Sequence, residues 1–111
     1  MMQELMQDLL ATKVVRVTGS YADWTENDES DIDFYVTPDK PEATERNFRR
    51  VMRVLTKHWI KCRSTAPGYV FTHCTSGNGK LPIQMEFSDL FRKRKNKLPT
   101  RELYGITFKT Y

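Results

Sequence analysis

Two aspartates one residue apart open the apolar run Asp31-Ile32-Asp33-Phe34-Tyr35-Val36. Side chains alternate between the faces of a strand, so the two carboxylates point the same way, with their β-carbons roughly 6–7 Å apart. Ile32, Phe34 and Val36 then point to the other face and are expected to pack on helices. Two parallel carboxylates repel each other unless something positive lies between them, and a divalent cation with oxygen ligands satisfies both. The run Ile83-Gln84-Met85-Glu86-Phe87 alternates in the same way, with Gln84 and Glu86 on its polar face. Laid beside the first strand with polar faces aligned, it makes Glu86 a third carboxylate. Three such groups can hold two metal ions roughly 3.5–4 Å apart, which clamps the attacking and leaving oxygens of a phosphoryl transfer. Asp89 is the rival third carboxylate, but it falls past the strand and out of its alternation. Upstream, Gly19-Ser20 closes another apolar stretch. A glycine lets backbone approach a phosphate closely. The Ser20 hydroxyl and the N–H groups of a following helical turn would hold phosphate oxygens.

These residues need elements to position them. Leu5, Met6, Leu9 and Leu10 recur at helical spacing and predict a helix over 2–11. Val14 to Thr18 reads as a β-branched strand ended by Gly19, and Tyr21 to Ser30 as a short helical turn and a loop. The second strand runs from Asp31 to Thr37. A long helix follows, with Asp39 as N-cap, Pro41 in the first turn and Glu42 completing a capping-box pattern. Phe48, Val51, Met52, Leu55 and Trp59 form its apolar stripe. Arg46, Arg49, Arg50, Arg53 and Lys57 share another face. A short strand over 58–63 is expected next. Strands over 69–74 and 81–87 flank the turn signal Ser76-Gly77-Asn78-Gly79 and predict a hairpin. Tyr104 to Tyr111 has strand character without an evident partner. The order predicts an α+β domain, a small mixed β-sheet flanked by helices, in a single unit of 111 residues with a basic C-terminal segment from about residue 92.

The net charge of +4 conceals three blocks. Residues 23–33 carry −6, residues 40–63 carry +6, and residues 92–101 carry another +6 through Arg92, Lys93, Arg94, Lys95, Lys97 and Arg101. The basic segments suit an anionic partner, such as nucleic acid or an acidic protein surface, and equally suit a solvated face. With 12% aromatic residues the composition is that of a folded chain. No apolar run approaches the ~18 residues that span a bilayer, and the N-terminus lacks the pattern of a secretory signal. A cytoplasmic protein with no membrane association is expected. Cys62 and Cys74 are then expected to be buried free thiols rather than a disulfide or, with His58 and His73, a zinc site.

Val17-Thr18-Gly19-Ser20-Tyr21-Ala22, followed by Ser30-Asp31-Ile32-Asp33-Phe34, resembles the DNA polymerase β-like nucleotidyltransferase superfamily, and most of all its minimal nucleotidyltransferases. The resemblance covers residues 14–37 and extends to 81–88 through Glu86. It implies transfer of a nucleoside monophosphate from an NTP to an acceptor hydroxyl on a protein, an RNA or a small molecule, with release of pyrophosphate. Gly19 and Ser20 would bind the triphosphate. Asp31 and Asp33 would bind both Mg2+ ions, and Glu86 would bind the catalytic one and help activate the acceptor. Minimal members act as antitoxins by adenylylating a partner toxin, which favours a protein acceptor, chosen with the help of a partner or second subunit. Two features depart from the family pattern. Trp24 stands near a common glycine, where an indole could stack on a base or crowd the site, and the third carboxylate is Glu rather than Asp. An alternative use of the same fold is a binding module with weak chemistry, working through its basic segments.

Overall fold

The computed structural model describes residues 2–36, 43–66, 69–76, 79–87 and 99–110. Helix α1 (Met2–Ala11) buries Leu5, Met6 and Leu9 completely, while Leu10, at the margin of this stripe, is 40% exposed. Strand β1 (Val15–Thr18) leads directly into the five-residue helix α2 (Gly19–Asp23), and β2 (Ile32–Val36) returns antiparallel to β1. Helix α3 (Thr44–Lys57) follows. The expected cap residues Asp39, Pro41 and Glu42 lie outside the described residues, as does Thr37.

Val51 and Leu55 of α3 are fully buried, with Phe48 and Met52 packed against them. The apolar stripe stops there. Trp59, expected to extend it, stands past the helix end with φ 58° and is 85% exposed. Asn47 is buried on the same side of the helix instead. The expected strand over 58–63 therefore starts later, at Lys61, because residues 58–60 are used to cap α3.

Strands β3 (Lys61–Ala66), β4 (Tyr69–Ser76), β5 (Gly79–Lys80) and β6 (Ile83–Phe87) complete the main sheet. Its order is β1-β2-β6-β4-β3, with β5 paired to β4. The β2–β6 pair is parallel and the other pairs are antiparallel, so the sheet is mixed as expected. The β4 and β6 strands pair antiparallel as the predicted hairpin requires; its turn residues Gly77 and Asn78 lie outside the described residues.

The alternation in β2 and β6 divides the sheet into two faces. Ile32, Phe34, Val36, Ile83 and Met85 face one side and join Val15, Val17, α1 and the apolar stripe of α3 in one buried cluster. Asp33, Tyr35, Gln84 and Glu86 face the other. An ion pair and a hydrogen bond fasten the two helices over the apolar face: Asp8 of α1 accepts from Lys57 Nζ at 3.1 Å and lies 2.7 Å from His58 Nε2. Those contacts hold the Asp8 carboxyl below its ordinary pKa, the His58 hydrogen bond most of all.

The C-terminal stretch without an evident partner proves to be a second, two-stranded sheet of β7 (Thr100–Leu103) and β8 (Ile106–Lys109). Tyr104 (φ 53°) and Gly105 (φ 81°) connect them, the left-handed pair that matches a two-residue hairpin to the twist of its strands. Phe108 is fully buried edge-on to Phe34 at 5.5 Å between ring centroids, and a bridge joins Thr110 to Val17. The hairpin thus closes one side of the main core. Among the described residues no helix is long and apolar enough to cross a membrane.

Candidate active site

The Gly19 turn is set by its neighbour across the sheet. Thr18 is the register partner of Asp33, so the chain turns into α2 directly beside that carboxylate. Gly19 adopts φ +68°, and a β-carbon placed on it would lie 2.4 Å from Asp33 Oδ2. Only a residue without a side chain can bring the backbone this close. The Gly-Ser turn and the Asp-x-Asp strand are therefore packed against each other. Ser20 follows, half-buried, and its carbonyl accepts the N–H groups of Trp24 and Thr25 that close the short helix.

The loop between α2 and β2 sorts the acidic block into different roles. Asp23, Asp28 and Glu29 are exposed. Asn27 organises a turn: its Oδ1 accepts from the Glu29 N–H at 2.9 Å, its own N–H donates to Ser30 Oγ at 2.9 Å, and its carbonyl accepts the Ser30 N–H at 3.1 Å. This turn delivers Asp31 to the start of β2, whose first N–H, on Ile32, donates to the Pro82 carbonyl at 2.8 Å. Glu26 turns away from the other acids and pairs with Arg101 of β7. The Arg101 hydrogen bond holds the Glu26 carboxyl below its ordinary pKa.

Arg101 also answers the question raised by Trp24. Its guanidinium carbon lies 3.7 Å from the centroid of the Trp24 ring and 5.4 Å from that of Tyr21, and Nη1 donates to the Tyr21 carbonyl at 3.2 Å. One face of the indole is thus covered by the chain itself. Arg101→Ala is expected to remove a cation–π contact of about 0.5–2 kcal/mol and to free the α2 turn from the C-terminal hairpin. Urea unfolding should show the loss together with a shift of Trp24 emission. Arg101→Lys should recover little, because an ammonium lacks the planar fork that reaches ring, carbonyl and carboxylate at once.

Asp31, Asp33 and Glu86 meet only in part. Strands β2 and β6 do lie side by side with polar faces aligned, but the register sets Gln84 opposite Asp33 and Glu86 opposite Tyr35. Glu86 is thus diagonal to Asp33, at a Cα separation of roughly 8 Å for strands of ordinary spacing, while Asp31 lies on the far side of Asp33. Among the described residues, no three His, Cys, Asp or Glu side chains form a group that could hold a metal ion. The three carboxylates nevertheless feel one another. Burial, then the charges of Asp31 and Glu86, push the Asp33 carboxyl above its ordinary pKa of 3.8.

A carboxyl with a raised native pKa binds its proton more tightly folded than unfolded. The native state therefore loses stability as pH rises through that pKa, and the penalty is full above it. Asp33→Asn is expected to make the protein more stable than the parent at pH 7. The two should converge below about pH 3.8, where the parent carboxyl is protonated in both states. Urea midpoints of both proteins across that range provide the check.

Two residues of this face were not singled out as part of the site by sequence. Tyr35 is fully buried between Asp33 and the strand end, and the two-residue period from Asp33 would have found it. Gln84 owes its place opposite Asp33 to register, for which the sequence carries no local signal. The basic residues Arg46, Arg49, Arg50, Arg53 and Lys57 are exposed as expected. Their helix covers the apolar face of the sheet, so they lie across the sheet from Asp33 and do not neutralise a triphosphate held there. Arg92, Lys93, Arg94, Lys95 and Lys97, like Asp89, lie outside the described residues. Cys62 and Cys74 are free, directly opposite each other on β3 and β4, with sulfurs 2.9 Å apart. Cys74 is buried as expected, but Cys62 is only half-buried.

No family model, curated protein or solved structure matches this chain.

Proposed function

We propose that the chain is a metal-dependent nucleotidyltransferase that transfers a nucleoside monophosphate from an NTP to an acceptor hydroxyl, releasing pyrophosphate. The observation that carries this reading is the contact of Gly19 with Asp33: the Gly-Ser turn and the Asp-x-Asp strand come together at a distance only glycine permits. The Asp33 carboxyl, crowded by Asp31 and Glu86, offers hard oxygen donors and a negative field that a divalent cation relieves. Asp31 and Asp33 would hold Mg2+, with Glu86 as the outlying third donor. When bound, the ion supplies Lewis-acid stabilisation of the transferring phosphoryl oxygens. Gly19 and Ser20 would hold the triphosphate, Gly19 by close backbone approach and Ser20 by its hydroxyl. The acceptor is a hydroxyl of a protein or RNA, and a cytoplasmic setting with its ATP and Mg2+ suits the reaction.

The test is incorporation from ATP labelled at the α-phosphate, with Mg2+ and a mixture of candidate protein and RNA acceptors. Metal stabilisation is worth several kcal/mol, so Asp31→Asn/Asp33→Asn should lower incorporation by at least about a hundredfold without unfolding the protein. Equal incorporation by parent and variant, or none with any NTP, would overturn the assignment.

A further inference from the structure

Two tryptophans occupy left-handed backbone positions just beyond helix ends, and they differ in what surrounds them. Trp24 (φ 60°) carries Arg101 on its ring. Trp59 (φ 58°) closes α3. The Ile60 N–H donates to the Leu55 carbonyl at 2.9 Å and the Trp59 N–H to the Thr56 carbonyl at 3.0 Å, with Leu55 and Ile60 both buried. This is the Schellman arrangement, whose left-handed residue is normally glycine. A bulky side chain is strained there. The Trp59 side chain is also 85% exposed, and among the described residues no side-chain hydrogen bond or ring contact holds it. The turn closes α3, but the exposed indole itself adds no packing to the fold, and a bulky residue kept at a strained position without packing points to use by a ligand.

The helix that Trp59 terminates provides a second, independent feature. Arg46, Arg49, Arg50 and Arg53 form an exposed row at i, i+3, i+4 and i+7, about 10 Å long at 1.5 Å per residue, and Trp59 stands two residues past the end of the same helix. Arg49 is paired with Glu45 at 2.6 Å, and Arg50 donates to the Thr12 carbonyl at 3.3 Å. Arg46 and Arg53 have no ion-pair partner among the described residues. A linear cationic row on a helix whose end carries an uncovered indole fits one class of ligand: a chain of phosphates carrying unstacked bases. A duplex keeps its bases stacked and cannot use the ring. An acidic peptide would use the arginines and leave the indole without a purpose.

We propose that the outer face of α3 together with Trp59 is a docking site for single-stranded nucleic acid. Phosphates lie along Arg46 and Arg53, and a base stacks on Trp59. The surface is across the sheet from Asp33, so its occupation does not depend on the nucleotidyl-transfer chemistry.

The experiment uses the full chain carrying Trp24→Phe, which leaves Trp59 as the sole tryptophan. Decadeoxyuridylate and decauridylate, which differ only in the 2′-hydroxyl, are titrated at low salt without Mg2+ or NTP. Both should quench the Trp59 emission, and a preference between them identifies the favoured sugar. Stacking of one base is worth about 1–3 kcal/mol. Trp59→Gly should therefore weaken binding of a labelled oligomer by between about fivefold and a hundredfold, while the thermal midpoint stays level or rises. Arg46→Gln/Arg53→Gln should make the slope of log K against log salt shallower by about 1.4, from ~0.7 per phosphate contact. The proposal fails if Trp59→Gly binds as the parent does, or if oligomers bind without quenching. It fails equally if a duplex or a polyglutamate peptide of matched charge binds as tightly as the single strands.

Discussion

Gly19→Ala is expected to lower the proposed nucleotidyl transfer by about a hundredfold. The added methyl would meet Asp33 Oδ2 at 2.4 Å, inside any ordinary contact. Either the carboxylate or the turn must then move by about 1 Å, and a displacement of that size in a reacting constellation costs on the order of a hundredfold in rate. The φ of +68° adds a second penalty. An L-residue held in the left-handed region loses about 1–2 kcal/mol, which urea unfolding would register separately. The pair of readouts is informative. A variant that loses the stability increment but keeps its activity would show that the Gly19–Asp33 contact serves the turn and not the chemistry. Asp33→Asn in the Gly19→Ala background should leave the strain of the turn untouched, because that strain belongs to the backbone.

Phe108→Ala is expected to cost about 3–5 kcal/mol, the range for removing a buried aromatic ring from a packed core. Phe108 is fully buried, and its ring stands edge-on to Phe34 at 5.5 Å. Phe34 lies in β2 between the face that carries Asp33 and the core under it. The cavity would thus open directly behind the candidate site. The loss should appear in chemical unfolding as a lower midpoint. Amide exchange should show the β7–β8 hairpin opening first, since only the Thr110–Val17 bridge, the Arg101 contacts and the packing of Leu103 and Ile106 among the described residues then hold it to the rest of the fold. If the hairpin were a mere appendage, truncating Phe108 would leave the stability of the main sheet unchanged.

Both arguments lean on features of very different legibility. The Gly19 turn and the alternation of Asp33 with Ile32 and Phe34 could be read directly, because each depends on residues within a few positions of one another. The same locality explains the clear reading of α1 and of the buried and basic faces of α3. It also explains the error at Trp59. Helical spacing placed the ring on the apolar stripe, but the helix closes at Lys57 in a Schellman turn without the glycine that usually announces one.

The contacts between distant segments were not legible. Arg101 reaches Trp24 across more than seventy residues, and neither side chain hints at the other in the sequence. Phe108 gave strand character to the C-terminus but no partner, since the hairpin it anchors docks on strands laid down at the start of the chain. The pairing of β6 with β2 could be posed as a condition, yet its register could not be derived. A shift of two residues keeps every side chain on its own face and so leaves no trace in the apolar pattern.

The sequence by itself determined which residues alternate, which face of each strand is acidic or apolar, and that Gly19 ends the first strand, because these follow from backbone geometry over short spans. Only the tertiary structure decided that Gly19 comes up against Asp33, that Gln84 rather than Glu86 stands opposite Asp33, that the arginines of α3 lie across the sheet from the carboxylates, and that Arg101 covers one face of Trp24 while Trp59 is bare. Those outcomes depend on how strands and helices far apart in the chain pack and exchange hydrogen bonds. That choice is made by the whole core at once.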